Sequence, residues 1–430
     1  MRILNRCIGT LFFVVCAVTI VPAQQTSPSG TPVKLDDLLS EAEGRNPQIQ
    51  SARRSWESSQ HVPTQVSTLP DPQLTLQHVS VGSPRPFSGY TNSDFAYVGF
   101  GFSQDIPYPG KLRLRGELAG KDADVSRQHY ESARRTILAD VKAAYYQLAY
   151  LGKTRTILEE DGRLLEQIEL AAEARYRTGS GTQQEVLQAQ IEKTKLLREI
   201  TTSELEVGRA QAEIKQLLSR EQSSPDIETD DLAETTTVYT YEQLLSAANS
   251  NNPEIAAMQK MVERQGLQVG LARKDFYPDF NVQYMWQRTD PTRVRAYYML
   301  TFGVRIPIYR ARRQQPELAQ ATADQNRARS DLEAQSQQTA FELRQQYLTV
   351  EKSAELLKIY HEGLIPQAQA ELQAGLAAYQ NNRQDFQALL ASFRDLLMLD
   401  QEYWQTLLER EKALAQIEQS TGLSLRGQRE

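Results

Sequence analysis

The sequence predicts a mainly α-helical chain with membrane-type β structure: two copies of a rod of long helices, each carrying two strands, so four strands per chain. Three observations predict it: an internal duplication, two very long helical patterns, and four blocks of strand alternation about as long as a bilayer is thick. The duplication has a period of roughly 200 residues, far beyond the roughly 20–50 of a solenoid repeat, and so marks two large units.

The two units carry the same landmarks in the same order. An amphipathic opening, Leu35 to Ala42, leads to Asn46-Pro47-Gln48-Ile49, and Tyr241 to Ala248 leads to Asn252-Pro253-Glu254-Ile255. Pro70-Asp71 and Pro278-Asp279 each introduce a strand-like stretch, and a second such stretch ends in Ile106-Pro107 and again in Ile306-Pro307. A long helical pattern follows both times and reaches a turn after Tyr176 and after Tyr379. The units span 24–220 and 240–422, with a linker over 221–239 and a C-terminal tail over 423–430.

Strands are expected at about 73–82, 95–106, 279–288 and 296–306, read from a period of two. Val282 and Tyr284 share one face of the third block and Leu300 and Phe302 one face of the fourth, with Gln283 and Thr301 opposite. Val98 and Phe100 face one way in the second block, with Leu74 and Leu76 as their weaker counterparts in the first. A face of Val98, Phe100, Val282, Tyr284, Leu300 and Phe302 suits lipid, and the amide-rich face suits water. The same alternation would also fit a soluble sandwich with one wet face.

Helices account for most of the rest. From about Arg113 to Tyr176 there is no proline, and apolar residues recur at three- and four-residue steps through Ile137, Val141, Tyr145 and Leu148. At 1.5 Å per residue this helix is on the order of 95 Å long. The return helix, about Gln183 to Leu218, and the segment Pro47 to Thr68 together come close to that length. The second unit repeats the scheme with Pro253 to Tyr277, Gln314 to Tyr379 and Asp385 to Gln419. Pro366, inside the second long helix, should bend it.

The composition narrows the function. The chain has 430 residues, a net charge of −6 and 2 cysteines. Mean hydropathy is −0.53. The first 23 residues read as a secretory signal: Arg2 and Arg6, an apolar core from Ile8 to Ile20, then Val21-Pro22-Ala23 for cleavage. No run of about 18 apolar residues predicts a membrane helix. Cys7 and Cys16 both lie in this signal, so the exported chain is expected to have no thiol. Val15 before Cys16 argues against a lipidated start. An acidic balance disfavours nucleic acid. No Gly-rich phosphate loop, Gly-x-Ser-x-Gly elbow or His-Glu-x-x-His occurs, so neither catalysis nor a cofactor is expected. His61, His78, His129 and His361 are scattered, and no metal site is predicted.

Four membrane strands cannot close a barrel, and open edges in lipid cost several kcal/mol per unsatisfied group. Two copies give eight strands, whose interior side chains would fill, and three give twelve with room for water. Three or more copies are therefore favoured. A periplasmic coiled-coil scaffold would explain the helices and leave the strand blocks without a role.

At this point the chain resembles the TolC-like outer-membrane efflux protein family over about Leu35 to Gly422. The markers are the twin Asn-Pro openings, Gln104-Asp105-Ile106-Pro107-Tyr108-Pro109-Gly110-Lys111, and Tyr176-Arg177-Thr178-Gly179-Ser180-Gly181 followed by Val186-Leu187-Gln188. Tyr379 to Phe386, followed by Leu389-Leu390-Ala391, answers in the second unit. The resemblance implies a homotrimer in outer-membrane lipid, with a twelve-strand barrel continued by a periplasmic α-helical barrel. It implies work with a periplasmic adaptor and an inner-membrane pump, of the RND type, as the exit duct of a tripartite efflux system; a duct for type I protein secretion is the alternative. Carried over by position, the adaptor-docking tips are Thr178, Gly179, Ser180 and Gly181 in the turn 178–183, and Asn381, Asn382 and Arg383 in the turn 380–385. Members of the family can ring the closed end with aspartates. This chain departs from that pattern with Gln387 and Leu390 there and Asp385 nearest, which implies an amide-lined or apolar gate. The Ile-Pro-x-Pro-Gly-Lys segment and Ile365-Pro366-Gln367-Ala368 resemble the heavy-metal export branch.

Overall fold

Several helix boundaries among the described residues have a local chemical cause. The computed structural model describes residues 33–79, 97–236, 239–288 and 296–425. The expected signal with Cys7 and Cys16, positions 80–82 and 95–96 of the first two strand blocks, and the last residues of the tail lie outside them.

The first unit runs α1 (Leu35–Arg45), α2 (Pro47–Ser59), α3 (Val62–Ser67), β1 (Gln73–Val79), β2 (Tyr97–Ile106), α4 (Lys111–Arg177) and α5 (Gln183–Leu217). The second runs α6 (Tyr241–Asn251), α7 (Pro253–Lys274), β3 (Asp279–Arg288), β4 (Tyr297–Arg305), α8 (Gln314–Ile359), α9 (Ile365–Gln380) and α10 (Phe386–Thr421). The element order is therefore duplicated, as the landmarks predict. The 67 residues of α4 reach on the order of 100 Å.

The twin Asn-Pro dipeptides splice helices together. Asn46 Oδ1 accepts the backbone N–H of Gln48 at 2.8 Å, and its Nδ2 donates to the Leu217 carbonyl at 2.8 Å, at the end of α5. Asn252 repeats this with the Glu254 N–H at 2.9 Å and the Ser420 carbonyl at 3.2 Å, at the end of α10. One buried amide thus satisfies the orphan donors of one helix start and an orphan acceptor of another helix end. The following proline costs nothing at a first helical position.

Two other prolines break the symmetry between the units. Pro63 has no N–H for the Ser59 carbonyl, so the segment read as one stretch from Pro47 to Thr68 is two helices, while α7 runs unbroken. Pro366 denies a donor to Glu362, and the chain responds with a π-turn over Tyr360–Leu364, in which the Ile365 N–H reaches the Tyr360 carbonyl. The expected disturbance at Pro366 therefore takes the form of a register shift in the turn before it.

The strands form one antiparallel sheet in the order β1-β2-β3-β4, so the two units meet through β2 and β3. Phe102 pairs with Leu74 on one side and Tyr284 on the other; Tyr284 in turn pairs with Leu300. Gln283 pairs with Thr301 and Ser103. At the base of the sheet Lys111 is 3% exposed and lies 3.0 Å from Asp275 and 2.9 Å from Asp279, which also accepts the Tyr108 N–H. This explains the Gly110-Lys111 marker: Gly110 takes φ +90° and the lysine ties the first unit's helix to the second unit's strand.

The helices pack into an elongated rod with separate apolar clusters along it. One gathers α1, the middle of α4, the end of α5 and part of α10; another, nearest the far end, gathers α4, α5, α9 and α10. The expected linker is part of this core. Ile227 and Leu232 are 4% and 6% exposed, and Gln211 clasps the backbone of Ile227 from both sides. Leu425 of the expected tail is likewise buried against α6 and α10.

Replacing Asn252 by Asp keeps the cap oxygen but sets a second oxygen against the Ser420 carbonyl. Asn252→Asp should lower unfolding stability by about 1–3 kcal/mol at neutral pH. Chemical denaturation should show a loss that shrinks as the carboxyl protonates in acid.

Candidate functional site

Two surfaces stand out, one at each end of the rod. The first is the sheet. The paired residues Leu74, Leu76, Phe100, Phe102, Val282, Tyr284, Trp286, Tyr298, Leu300 and Phe302 form one unbroken apolar face across all four strands. Tyr298 and Phe302 are 72% and 71% exposed, and Leu74 and Leu76 68% each. An apolar patch this large marks an interaction surface, for a membrane or a protein partner. Val98 continues the row against Arg288, and half-buried Val282 lies inside it. The other face carries Thr75, Gln77, Ser103, Asp105, Asn281, Gln283 and Thr301. Asn281 Nδ2 donates to Asp105 at 2.8 Å there. Met285 folds across Gly99 and Gly101, where a Cβ at Gly101 would meet its methyl at 2.7 Å. The ten residues each of β2 and β3, at about 3.3 Å per residue, give these strands bilayer length.

The second surface is the pair of helical turns at the opposite end. Both are the same device. Gly179 has φ +72°, its N–H bonds the Tyr176 carbonyl at 3.0 Å, and the Ser180 N–H bonds Arg175 at 2.9 Å. Asn382 has φ +57°, with its N–H on Tyr379 at 3.1 Å and the Arg383 N–H on Ala378 at 2.9 Å. These are two Schellman caps, one built on glycine and one on asparagine. Gly181 is glycine for a different reason: a Cβ there would stand 3.0 Å from that of Arg175. Thr182 and Asp385 then cap the return helices, accepting from Glu185 and Gln387. Thr178, Gly179, Ser180, Asn381, Asn382 and Arg383 are all exposed at this end.

Behind the turns a polar clasp joins the two helix pairs. Tyr379 is fully buried and donates from its hydroxyl to Glu185 at 2.6 Å, while Arg175 lies 4.1 Å over its ring. Burial, and then the Glu185 carboxylate, hold the Tyr379 phenol protonated well above its ordinary range. Gln387 donates to Gln188 at 2.6 Å, and Arg394 forks onto Glu192. Glu185, Gln188 and Glu192 are three and four residues apart, so one face of α5 supplies all three links. Of the expected gate residues, Gln387 takes part in this clasp and Asp385 is spent as a helix cap. Leu390 is 1% exposed in the core between the helices, so it acts here by packing. The clasp was not read from the sequence: glutamates and arginines on amphipathic helices look alike until their neighbours are known.

Above the clasp lies a buried carboxyl. Asp161 on α4 is 6% exposed, and its Oδ2 has no hydrogen-bond partner. Burial first, then the charges of Asp400 on α10, Glu160, and Glu199 on α5, push it up to about 7. Asp400 is itself raised by burial and Glu160, against the opposing charge of Lys153. Among the described residues no group of His, Cys, Asp and Glu is placed to hold a metal ion.

A rod of duplicated helices with one lipid-compatible sheet and paired capped tips is a distinctive combination. The family model described as outer membrane efflux protein matches residues 38–220 and 244–423. The chain belongs to that family. Solved structures carry the same fold. The outer-membrane channel OprN is 17% identical over 91% of both chains, with a TM-score of 0.79. CusC is 17% identical over 92% of this chain and 93% of that one, at 0.78. VceC of Vibrio cholerae is 17% identical over 91% and 96%, at 0.77. No curated protein matches this outer membrane efflux protein significantly.

The raised Asp161 carboxyl penalises the packed rod wherever it is ionised. That penalty is absent in acid, grows as pH climbs from about 4 to about 7, and is full above, amounting to at most about 4 kcal/mol. Asp161→Asn should raise the thermal midpoint at pH 7.5 and leave it unchanged at pH 4, as scanning calorimetry in detergent would show.

Proposed function

We propose that this chain is the outer-membrane exit duct of a tripartite efflux system, with three copies forming one channel. The carrying observation is the apolar face that runs unbroken across four strands whose outer members, β1 and β4, each have a single partner among the described residues. In lipid those free edges must be paired, and β4 of one copy against β1 of the next pairs them without leaving a gap. Three copies supply twelve strands around a polar lumen, and the rods continue that lumen into the periplasm as a helical barrel. A signal cleaved near Ala23 fits export to that site. Catalysis plays no part in this reading.

The tips Thr178 to Gly181 and Asn381 to Arg383 dock a periplasmic adaptor, which couples the duct to an inner-membrane pump of the RND type. Their caps leave backbone polar groups tied down, with small side chains outward at the first tip and Arg383 outward at the second, which suits a protein partner that must approach the turns closely. Gln387 stands at the same end as the candidate for an amide-lined periplasmic gate, and the Tyr379–Glu185 clasp holds the helix pairs together beside it. The metal-export branch rests on the Ile106-Pro107-Tyr108-Pro109-Gly110-Lys111 resemblance. A deletion strain challenged with metals, detergents and drugs identifies the cargo.

Two experiments test this reading. Cysteines at Gln283 and Thr301 should react with a membrane-impermeant maleimide in the purified channel, while cysteines at Tyr284 and Leu300 stay protected; equal labelling overturns the membrane register. At the tip, Gly179→Ala costs about 1 kcal/mol of left-handed strain and adds no charge, so efflux should persist. Gly179→Glu adds a bulky charge at the same strain and should abolish efflux with trimers intact. Transport that survives Gly179→Glu removes the docking role of this turn.

A further inference from the structure

The turn that joins β4 to α8 is unlike its counterpart in the first unit. From Ile106-Pro107 the first helix starts at Lys111, but from Ile306-Pro307 the second starts only at Gln314. The longer connection carries Arg310, Arg312 and Arg313, all exposed. With Arg305 they make four arginines and no carboxylate between 296 and 316, in a chain whose net charge is −6. The turn is ordered: the N–H groups of Arg312 and Arg313 both bond the Tyr309 carbonyl at 3.0 Å, and Gln315 bonds Arg310 at 2.9 Å. Arg313 meets Glu317 at 3.3 Å while 74% exposed, and among the described residues no carboxylate lies within ion-pair distance of Arg310 or Arg312.

Beside these charges stand Ile306, Ile308 and Tyr309, which are 60%, 73% and 70% exposed. Ile306 continues the parity of Tyr298, Leu300, Phe302 and Val304, so the apolar face of the sheet passes directly into this turn. A surface that changes from apolar side chains to an amphipathic tyrosine and then to arginines, within one turn, follows the order of a bilayer from acyl chain to headgroup.

We propose that residues 306–313 are a docking surface for the anionic headgroups of phospholipids in the leaflet on the helical side of the membrane. This rests on the membrane-channel reading above. Arg310, Arg312 and Arg313 present planar donor forks to a phosphate. Ile308 and Tyr309 lie along the acyl chains below it. The contact follows the edge strand β4 and anchors the barrel's depth where the rod leaves the bilayer.

Native mass spectrometry of the full chain in a neutral detergent tests this, with phosphatidylglycerol and phosphatidylcholine added in turn. Wild-type channel should retain phosphatidylglycerol preferentially, and Arg310→Gln/Arg312→Gln/Arg313→Gln should lose that preference by about fivefold for each arginine removed. Arg209→Gln, an exposed arginine on α5, should retain it. Inorganic phosphate at equal concentration should not compete, since it brings no acyl chain. Equal retention of both lipids, unchanged preference in the triple variant, or full competition by inorganic phosphate overturns the assignment. So does collapse of the triple variant to monomers in lipid-free detergent, which would make the turn a contact between copies. Channel conductance in planar bilayers separates the two proposals. Conductance without lipid preference ends this inference alone; a wild-type chain that neither inserts nor conducts ends both.

Discussion

The backbone of a strand in lipid has nowhere to put its hydrogen bonds except another strand, and this constraint organises the whole chain. Four strands give three pairings and leave two edges. The sheet gains its width by joining the hairpins of both units through β2 and β3, so neither unit can make the four-stranded sheet alone. The Lys111 bridge to Asp275 and Asp279 follows from the same need. It ties the start of a helix of the first unit to a sheet completed by the second. Among the described residues the outer edges of β1 and β4 remain unpaired.

The rod obeys a different economy. Long amphipathic helices have few places where register can be fixed, since any apolar face slides on any other. The chain fixes it at the helix ends. Asn46 and Asn252 each bind a helix start to a helix end, and Schellman caps on Gly179 and Asn382 set the reversals. Between these points apolar packing supplies cohesion, and the polar links of α5 to α9 and α10 supply specificity. Asp161 is the exception, a carboxyl held in the packing at a cost and surrounded by other carboxylates.

The duplication is exact in order and inexact in detail, and the differences sit where one unit does something the other does not. Tyr176 and Tyr379 hold equivalent places before their turns, yet the first is 49% exposed and the second fully buried under Arg175. Only the second long helix carries a π-turn, and only the second connection from sheet to rod carries three arginines. A rod made of two nominally equal halves thus has unequal faces.

Periodicity and punctuation in the sequence determined the duplication, the two long helices to within a few residues, the strand blocks and the face each strand residue takes. They could do so because alternation and helical repeat are local properties of a chain. The tertiary structure decided which hairpins are neighbours, that Ile227 and Leu232 of the expected linker are buried in the core, and that Leu390 packs inward while Gln387 reaches Gln188. It also decided that Glu185, Tyr379 and Arg175 meet although some 200 residues of sequence separate them. Those outcomes depend on how the second unit lies against the first. That placement is set by side chains meeting across the fold, and no spacing along the chain encodes it.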